Sequence, residues 1–151
     1  MRHPPTFTIT SPSSPEHWQA YYELRWQILR APWQQAKGSE RDELDQDPRT
    51  VHLMGVSNQG EICAVGRIHP EPDYAQIRYM AVNDTQQRQG MGSALLHALE
   101  QQAPAMGHQR IFLNARENYL PFYIKNGYQD IGASYTLFDA IPHRKMQKQL
   151  G

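Results

Sequence analysis

A strand, a glycine-containing turn and an amphipathic helix follow one another between residues 75 and 99, and this order constrains the fold more than any other feature. The helix is indicated by apolar side chains at helical spacing, namely Met91, Ala94, Leu95, Ala98 and Leu99. A further strand is predicted at Arg110–Ala115. Because a helix between two strands commonly joins parallel neighbours, the sequence predicts one parallel pair.

The remaining elements are predicted from alternation, helical spacing and turn residues. The further strands are Thr6–Thr10, Val51–Ser57, Glu61–His69, Ala75–Val82, Tyr128–Phe138 and Ala140–Gln147. In the strand Ala75–Val82, alternation places Ile77, Tyr79 and Ala81 on one face and Arg78, Met80 and Val82 on the other. The further helices are one from Pro15 to about Pro32, a short one around Ser39–Asp45, and one at Tyr119–Asn126. Three consecutive strands argue against a doubly wound fold, so we expect an α/β fold (α+β in the stricter sense) with a mixed sheet and helices on both faces.

Size and charge exclude several classes of protein. The chain has 151 residues, which is typical of one domain spanning residues 1–151. Lys+Arg and Asp+Glu both number 15, and a net charge of zero argues against a general nucleic-acid binder. No apolar run is long enough to span a membrane and residues 1–15 carry no signal-peptide core, so we expect a cytoplasmic protein. The one cysteine, Cys63, is expected to be a buried hydrophobe rather than a nucleophile.

The turn before the amphipathic helix has the features of an anion site. Gly90 and Gly92 let the backbone approach a ligand, the first helical turn offers free N–H groups, and Arg88 adds a charged donor. A Walker A loop is excluded because Gly-Lys-Ser/Thr is absent, and the dinucleotide pattern fails because Leu95 stands at the third glycine position. The alternative is a turn that only packs the helix on the sheet.

Two segments resemble a known family. Gln87-Arg88-Gln89-Gly90-Met91-Gly92 is similar to the Q/R-x-x-G-x-G/A motif of the GNAT superfamily of N-acetyltransferases. Phe122-Tyr123-Ile124-Lys125-Asn126-Gly127-Tyr128 resembles the F-Y-x-K-x-G-F/Y segment of the same superfamily. The likeness covers residues 6–147, and Tyr22-x-Leu24-Arg25 with Ile141-Pro142-His143-x-x-Met146 further resembles the ElaA-like branch.

The resemblance implies a GNAT-like fold, with a mainly antiparallel sheet around a central parallel pair, and acetyl-CoA as the co-substrate. It implies that the glycine loop binds the pyrophosphate and that the backbone of Met80 and Val82 binds the pantetheine arm. By the same likeness the Met80 amide polarises the thioester carbonyl. The implied cofactor-binding residues are Met80, Ala81, Val82, Gln87, Arg88, Gln89, Gly90, Met91, Gly92, Ser93, Asn114 and Asn118.

Tyr123 matches the usual general acid of the superfamily, and a phenol is protonated at pH 7 and can donate to a departing thiolate. The sequence does not single out a general base. The candidates are His69, Glu71, Asp73 and a water chain, with His143 named as catalytic because its intrinsic pKa is suitable.

The position seven residues before Tyr123 departs from the family pattern. Many members have an Asn there, whereas this chain has Arg116. Asn114 or Asn118 is a substitute for that role, and Asn118 is equally suited to cap the helix at Tyr119.

The leading hypothesis is an acetyl-CoA-dependent N-acetyltransferase that acts on a primary amine of a small molecule or peptide by direct attack in a ternary complex. The alternatives are a non-catalytic acyl-CoA-binding domain and a protein-interaction module on the same fold. No membrane partner is expected, a homodimer is a further hypothesis, and the histidine spacing predicts no metal site. The acidic residues of segment 40–47 favour a cationic amine if they cover the acceptor cleft; the alternative is a solvated polar loop.

Overall fold

The computed structural model of the protein describes residues 7–83 and 90–151. Within these ranges the chain forms three helices: α1 (Pro15–Leu29), α2 (Met91–Glu100) and α3 (Leu120–Lys125). The strands in the same ranges are β1 (Phe7–Thr10), β2 (Val51–Ser57), β3 (Ile62–Pro70), β4 (Ala75–Val82), β5 (Arg110–Arg116), β6 (Gln129–Leu137) and β7 (Ile141–Gln149).

The strands form one sheet in the order β1-β2-β3-β4-β5-β7-β6. β4 and β5 are parallel and the other neighbouring strands are antiparallel. Helix α1 packs on one face, and α2 and α3 pack on the other. The predicted mixed sheet, with its parallel pair and helices on both faces, is confirmed. Over the described ranges, we find no helix with both the length and the apolar character needed to cross a bilayer.

The helices form where capping and burial favour them. The Ser14 side chain accepts a hydrogen bond from the His17 N–H and Pro15 begins α1, as predicted. Leu95 and Leu99 of α2 are fully buried against the sheet, and the side chain of Cys63 is buried, which raises the pKa of its thiol. The helix predicted around Ser39–Asp45 is wrong, because the chain forms a short 3-10 turn over Glu43–Gln46 instead.

A β-bulge interrupts β4 and changes which side chains share a face. Opposite β3, the register moves by one residue between Arg78 and Ala81, and Tyr79 has a φ of 59°. Ile77 therefore packs with Met80 and Val82 in the core beneath α2, while Tyr79 and Ala81 pack with α1. The predicted grouping of Ile77 with Tyr79 and Ala81 is wrong, since simple alternation takes no account of a bulge.

The parallel pair opens along its length. In the described strands, β4 and β5 pair through Ala75 with Ile111 and Gln76 with Phe112. Beyond Gln76 the two strands diverge, although β4 continues to Val82 and β5 to Arg116. This opening at the carboxyl ends of two parallel strands is a common place for a ligand site.

Candidate active site

Three connected depressions follow the opening between β4 and β5. The first, the apolar cavity, has a volume of about 230 Å³ and is lined by Ile28, Leu29, Met80, Ala81, Val82, Gly92, Tyr119, Phe122 and Tyr123. The second, the arginine cavity, has a volume of about 90 Å³, and its polar lining includes Arg30, Arg78, Tyr79, Asn114, Arg116, Tyr135 and His143. The third, the outer cleft, has a volume of about 740 Å³ and includes Trp33, Asn83, Arg116, Asn118 and Pro142.

Met80 and Tyr123 line both the apolar cavity and the arginine cavity, so they stand where the two meet. The Tyr123 hydroxyl lies 3.9 Å from the Met80 Sδ atom. Burial raises the pKa of Tyr123 well above its usual value of 10. The phenol therefore keeps its proton at neutral pH and can give it to a group at this junction.

The apolar cavity lies between β4, the start of α2 and α3. Met80 and Val82 share a face, as predicted, and both line this cavity. A Cβ atom on Gly92 would lie 3.4 Å from the Phe122 ring and 3.5 Å from the Val82 side chain. Glycine at this position keeps the first turn of α2 close to β4 and α3 without filling the space between them.

The start of α2 presents backbone donors near that cavity. Gly90 caps the helix with a φ of 80°, and the Ala94 N–H makes the first intrahelical bond to its carbonyl. The N–H groups of Met91, Gly92 and Ser93 precede that bond, so they have no carbonyl of their own helix to bind. Met91 as a whole is fully buried, with its side chain packed in the core beneath α2. The predicted ligands Gln87, Arg88 and Gln89 lie outside the described residues.

His143 has the geometry of a neutral base. Its Nδ1 lies 2.9 Å from the Ile141 carbonyl oxygen, which can only accept, so Nδ1 carries the proton and Nε2 the lone pair. The ring stacks on Tyr135 with 4.6 Å between centroids. Burial lowers the pKa of His143, and the charges of Arg116 and Arg30 lower it further. The imidazole is therefore unprotonated at neutral pH.

The other candidate bases lie at the closed end of the parallel pair. His69 pairs in register with Gln76, and its Nε2 is 3.0 Å from a Glu71 carboxylate oxygen. The Asp73 carbonyl accepts a hydrogen bond from Arg110, at the beginning of β5. His143 therefore lines the arginine cavity, as Tyr123 does, whereas these three residues lie away from it.

The two asparagines lie on the arginine side of the junction. Asn114 lines the arginine cavity, and its Oδ1 accepts a hydrogen bond of 2.7 Å from the Ser134 hydroxyl. Asn118 lines the outer cleft, and Tyr119 occupies the N-cap of α3, so the capping role suggested for Asn118 is wrong. A role for either in cofactor binding stays a prediction.

The acidic segment 40–47 has a structural role that the sequence analysis missed. Both carboxylate oxygens of Asp45 lie 3.0 Å from Arg25, and one of them lies 3.0 Å from Arg67. Asp42 also pairs with Arg67, at 2.6 Å. Both alternatives from the sequence are therefore wrong for Asp42 and Asp45, because these carboxylates bind arginines of the fold instead of covering an acceptor cleft or facing solvent. An arginine on the apolar face of α1 was the available signal, because Arg is rarely buried without a partner.

The sequence is similar to those of known proteins. Residues 18–128 match the Acetyltransferase (GNAT) family. The uncharacterised N-acetyltransferase YjcF of Bacillus subtilis is 29% identical over 109 residues, which are 72% of this chain and 76% of that protein.

Solved structures share the fold. An acyl-CoA N-acyltransferase from Pseudomonas aeruginosa has a TM-score of 0.77 at 22% identity, covering 94% of this chain and 97% of that one. An aminoglycoside 6'-N-acetyltransferase complexed with coenzyme A has a TM-score of 0.76 at 16% identity, covering 95% and 96%. Escherichia coli ElaA has a TM-score of 0.71 at 17% identity, covering 95% and 98%.

Proposed function

The chain belongs to the GNAT family of acetyltransferases, and from that premise we propose that it transfers the acetyl group of acetyl-CoA to a primary amine by direct attack in a ternary complex. The observation that carries this proposal is the position of Met80 and Tyr123, which line both cavities. A thioester at that junction has room for its pantetheine arm on one side and for an amine on the other.

The proposed cofactor position follows the apolar cavity. Its lining of Met80, Val82, Gly92 and Phe122 suits an aliphatic arm. The first-turn N–H groups of α2 and the positive end of its dipole favour the pyrophosphate at the adjoining end. The register of β4 with β5 ends at Gln76, and the backbone of residues 77–81 is the proposed source of hydrogen bonds to the arm, including that of the Met80 amide to the thioester carbonyl.

In the proposed reaction the amine nitrogen attacks the carbonyl carbon of the thioester, and a C–N bond forms. The carbon–sulfur bond breaks and the sulfur leaves with the electron pair. His143 takes the proton that the amine loses, directly or through water, and Tyr123 gives its proton to the thiolate. The products are the N-acetylated amine and coenzyme A.

Two-substrate kinetics test this proposal. Release of the coenzyme A thiol is followed while acetyl-CoA and a panel of primary amines are varied independently. Direct transfer in a ternary complex gives intersecting double-reciprocal lines. Parallel lines together with an isolable acetyl-enzyme contradict it, and acetyl-CoA binding without any transfer favours the non-catalytic alternative.

Further parts of the proposal concern the acceptor and the assembly. The acceptor is a small molecule or a peptide with a primary amine, and residues 1–151 act as one acetyltransferase domain. A cytoplasmic location, a homodimer and membership of the ElaA-like branch remain predictions.

A further inference from the structure

We propose that the amine acceptor carries an oxyanion group, a carboxylate or a phosphate, which Arg30 and Arg116 bind in the arginine cavity. This inference rests on the proposed acetyltransferase function and names the class of substrate that the site accepts.

The two guanidinium groups converge at one point. Arg30 Nη1 donates to the Leu29 carbonyl oxygen at 2.9 Å, and Arg116 Nη2 lies 3.4 Å from the same oxygen. Arg30 comes from the end of α1 and Arg116 from the end of β5, so the fold brings together residues that are 86 positions apart in the chain. Two cations that share one acceptor repel each other, and burial increases that repulsion because water screens it less.

The described part of the chain offers this pair of charges no counterion. In the ranges 7–83 and 90–151, no carboxylate lies within ion-pair distance of Arg30 or Arg116. Arg30 donates instead to the Ser39 carbonyl, and Arg116 stacks on the Trp33 ring at 4.6 Å. Burial lowers the pKa of both groups, and the charge of Arg30 lowers that of Arg116.

Two other arginines on the same side of the sheet show that this arrangement is not a general feature of that face. Arg25 and Arg67 are fully buried, and both are bound by the Asp45 carboxylate. Where arginines support the fold, the chain therefore supplies their counterion. Arg30 and Arg116 line a cavity in which residues 7–83 and 90–151 place no counterion, and this suits a ligand that brings its own negative charge.

The position of Arg30 and Arg116 indicates how their positive charge would act on the acceptor. Arg30, Arg116, His143 and Tyr123 all line the arginine cavity. An oxyanion held there orients the rest of the acceptor at the junction where we place the acetyl group. Arg78 also lines the cavity, but Asp42 lies 3.4 Å from it, so its charge is already partly neutralised.

The first experiment compares amines that differ in the oxyanion alone. Glycine, β-alanine and 4-aminobutyrate are each assayed beside their primary amides, and phosphoethanolamine beside ethanolamine. The expected KM is about 10- to 100-fold lower for the charged member of at least one pair, as for a hydrogen-bonded charge pair. The carboxylate and phosphate series show which oxyanion is preferred. Equal KM values in every pair, or a preference for the neutral members, would overturn the inference.

The second experiment assigns the effect to Arg116. Arg116→Gln is expected to raise KM for the charged amine by about 10- to 100-fold and to leave KM for its neutral partner nearly unchanged. Arg110→Gln is the matched control, because Arg110 is exposed at the opposite end of β5. If Arg116→Gln raises KM equally for the charged and the neutral amine, the role of Arg116 is structural and the inference is wrong. Arg116→Lys, which keeps a charge, serves where the Gln variant does not fold, and its KM for the charged amine should rise relative to its KM for the neutral amine.

Calorimetric titration separates this inference from the proposed function. The charged and neutral amines are titrated into the protein with and without saturating coenzyme A. Selective binding of the charged amine that is lost in Arg116→Gln supports the oxyanion site even if no acetyl transfer occurs. Acetyl transfer without charge selectivity upholds the function and overturns the oxyanion site.

Discussion

The two cavities that meet at Met80 and Tyr123 differ in chemistry and in how the chain builds them. The apolar cavity takes most of its lining from the end of β4, the start of α2 and α3. The arginine cavity takes its charged and polar groups from several separate elements, including the end of α1 and the last two strands. The apolar cavity suits the aliphatic arm of the proposed cofactor. The arginine cavity suits a polar acceptor.

The charged side of the molecule, which contains the arginine cavity, is stabilised by the buried ion cluster of Asp45 with Arg25 and Arg67. Of the changes predicted here, Asp45→Ala should have the largest effect. Removing this carboxylate leaves Arg25 and Arg67 buried without their shared partner, which should lower the free energy of unfolding by about 3–5 kcal/mol. Urea denaturation measures the change. Asp47→Ala is the control, because that residue pairs with the exposed Arg49 and should leave the transition midpoint unchanged. A similar midpoint for both variants would show that the cluster does not stabilise the fold.

The apolar cavity should bind acetyl-CoA poorly when a charged side chain is introduced into it. Gly92→Asp puts a carboxylate where we propose that the arm and pyrophosphate bind, and acetyl-CoA affinity should fall by about 100-fold or more. Gly92→Ala adds a single Cβ in ordinary contact with Phe122 and Val82, so its affinity should stay within a few-fold of the parent protein. Calorimetric titration gives both values. If the two variants bind equally well, the cofactor does not occupy this cavity.

The junction is tested by removing one hydroxyl. Tyr123→Phe should lower kcat by about 100-fold, the usual contribution of a general acid, with acetyl-CoA affinity retained. Tyr74→Phe is the control, because Tyr74 packs against Phe112 at the closed end of the parallel pair. A Tyr123→Phe enzyme with the parent kcat would remove this phenol from the mechanism.

The smallest expected effect is a pH dependence of kcat/KM that arises from His143 in the arginine cavity. A base must be neutral, so kcat/KM should fall as the pH drops through the pKa of His143, which burial and nearby arginines hold below 6.5. Tyr123 should add no alkaline limb below pH 10, because burial raises its pKa. The acid limb should disappear from the residual activity of His143→Gln. An unchanged limb in that variant would assign the titration to another group.

Local patterns in the sequence predict much of the fold and part of the candidate site. Alternation and helical spacing predict the strands and α2, and two motifs predict roles for Gly92 and Tyr123. These features are local, since each depends on residues that are neighbours in the chain. The bulge at Tyr79 is not encoded by a glycine or a proline, and simple alternation therefore assigns the faces of β4 wrongly.

The charged side could not be predicted in the same way. Whether Asp45 meets Arg25 and Arg67, or Arg30 meets Arg116, depends on contacts between segments far apart in sequence. Arg116 is visible in the sequence as a departure from the family pattern. Its role requires the fold, because only the fold shows that Arg30 comes to the same carbonyl.

Calorimetric titration of the purified protein with acetyl-CoA, beside free adenosine 3',5'-diphosphate, tests the central claim most directly. We expect acetyl-CoA to bind in the micromolar range, and more tightly than the diphosphate, because the apolar cavity adds contacts to the arm. An absence of binding at millimolar acetyl-CoA would contradict the assignment of the cofactor and of the reaction.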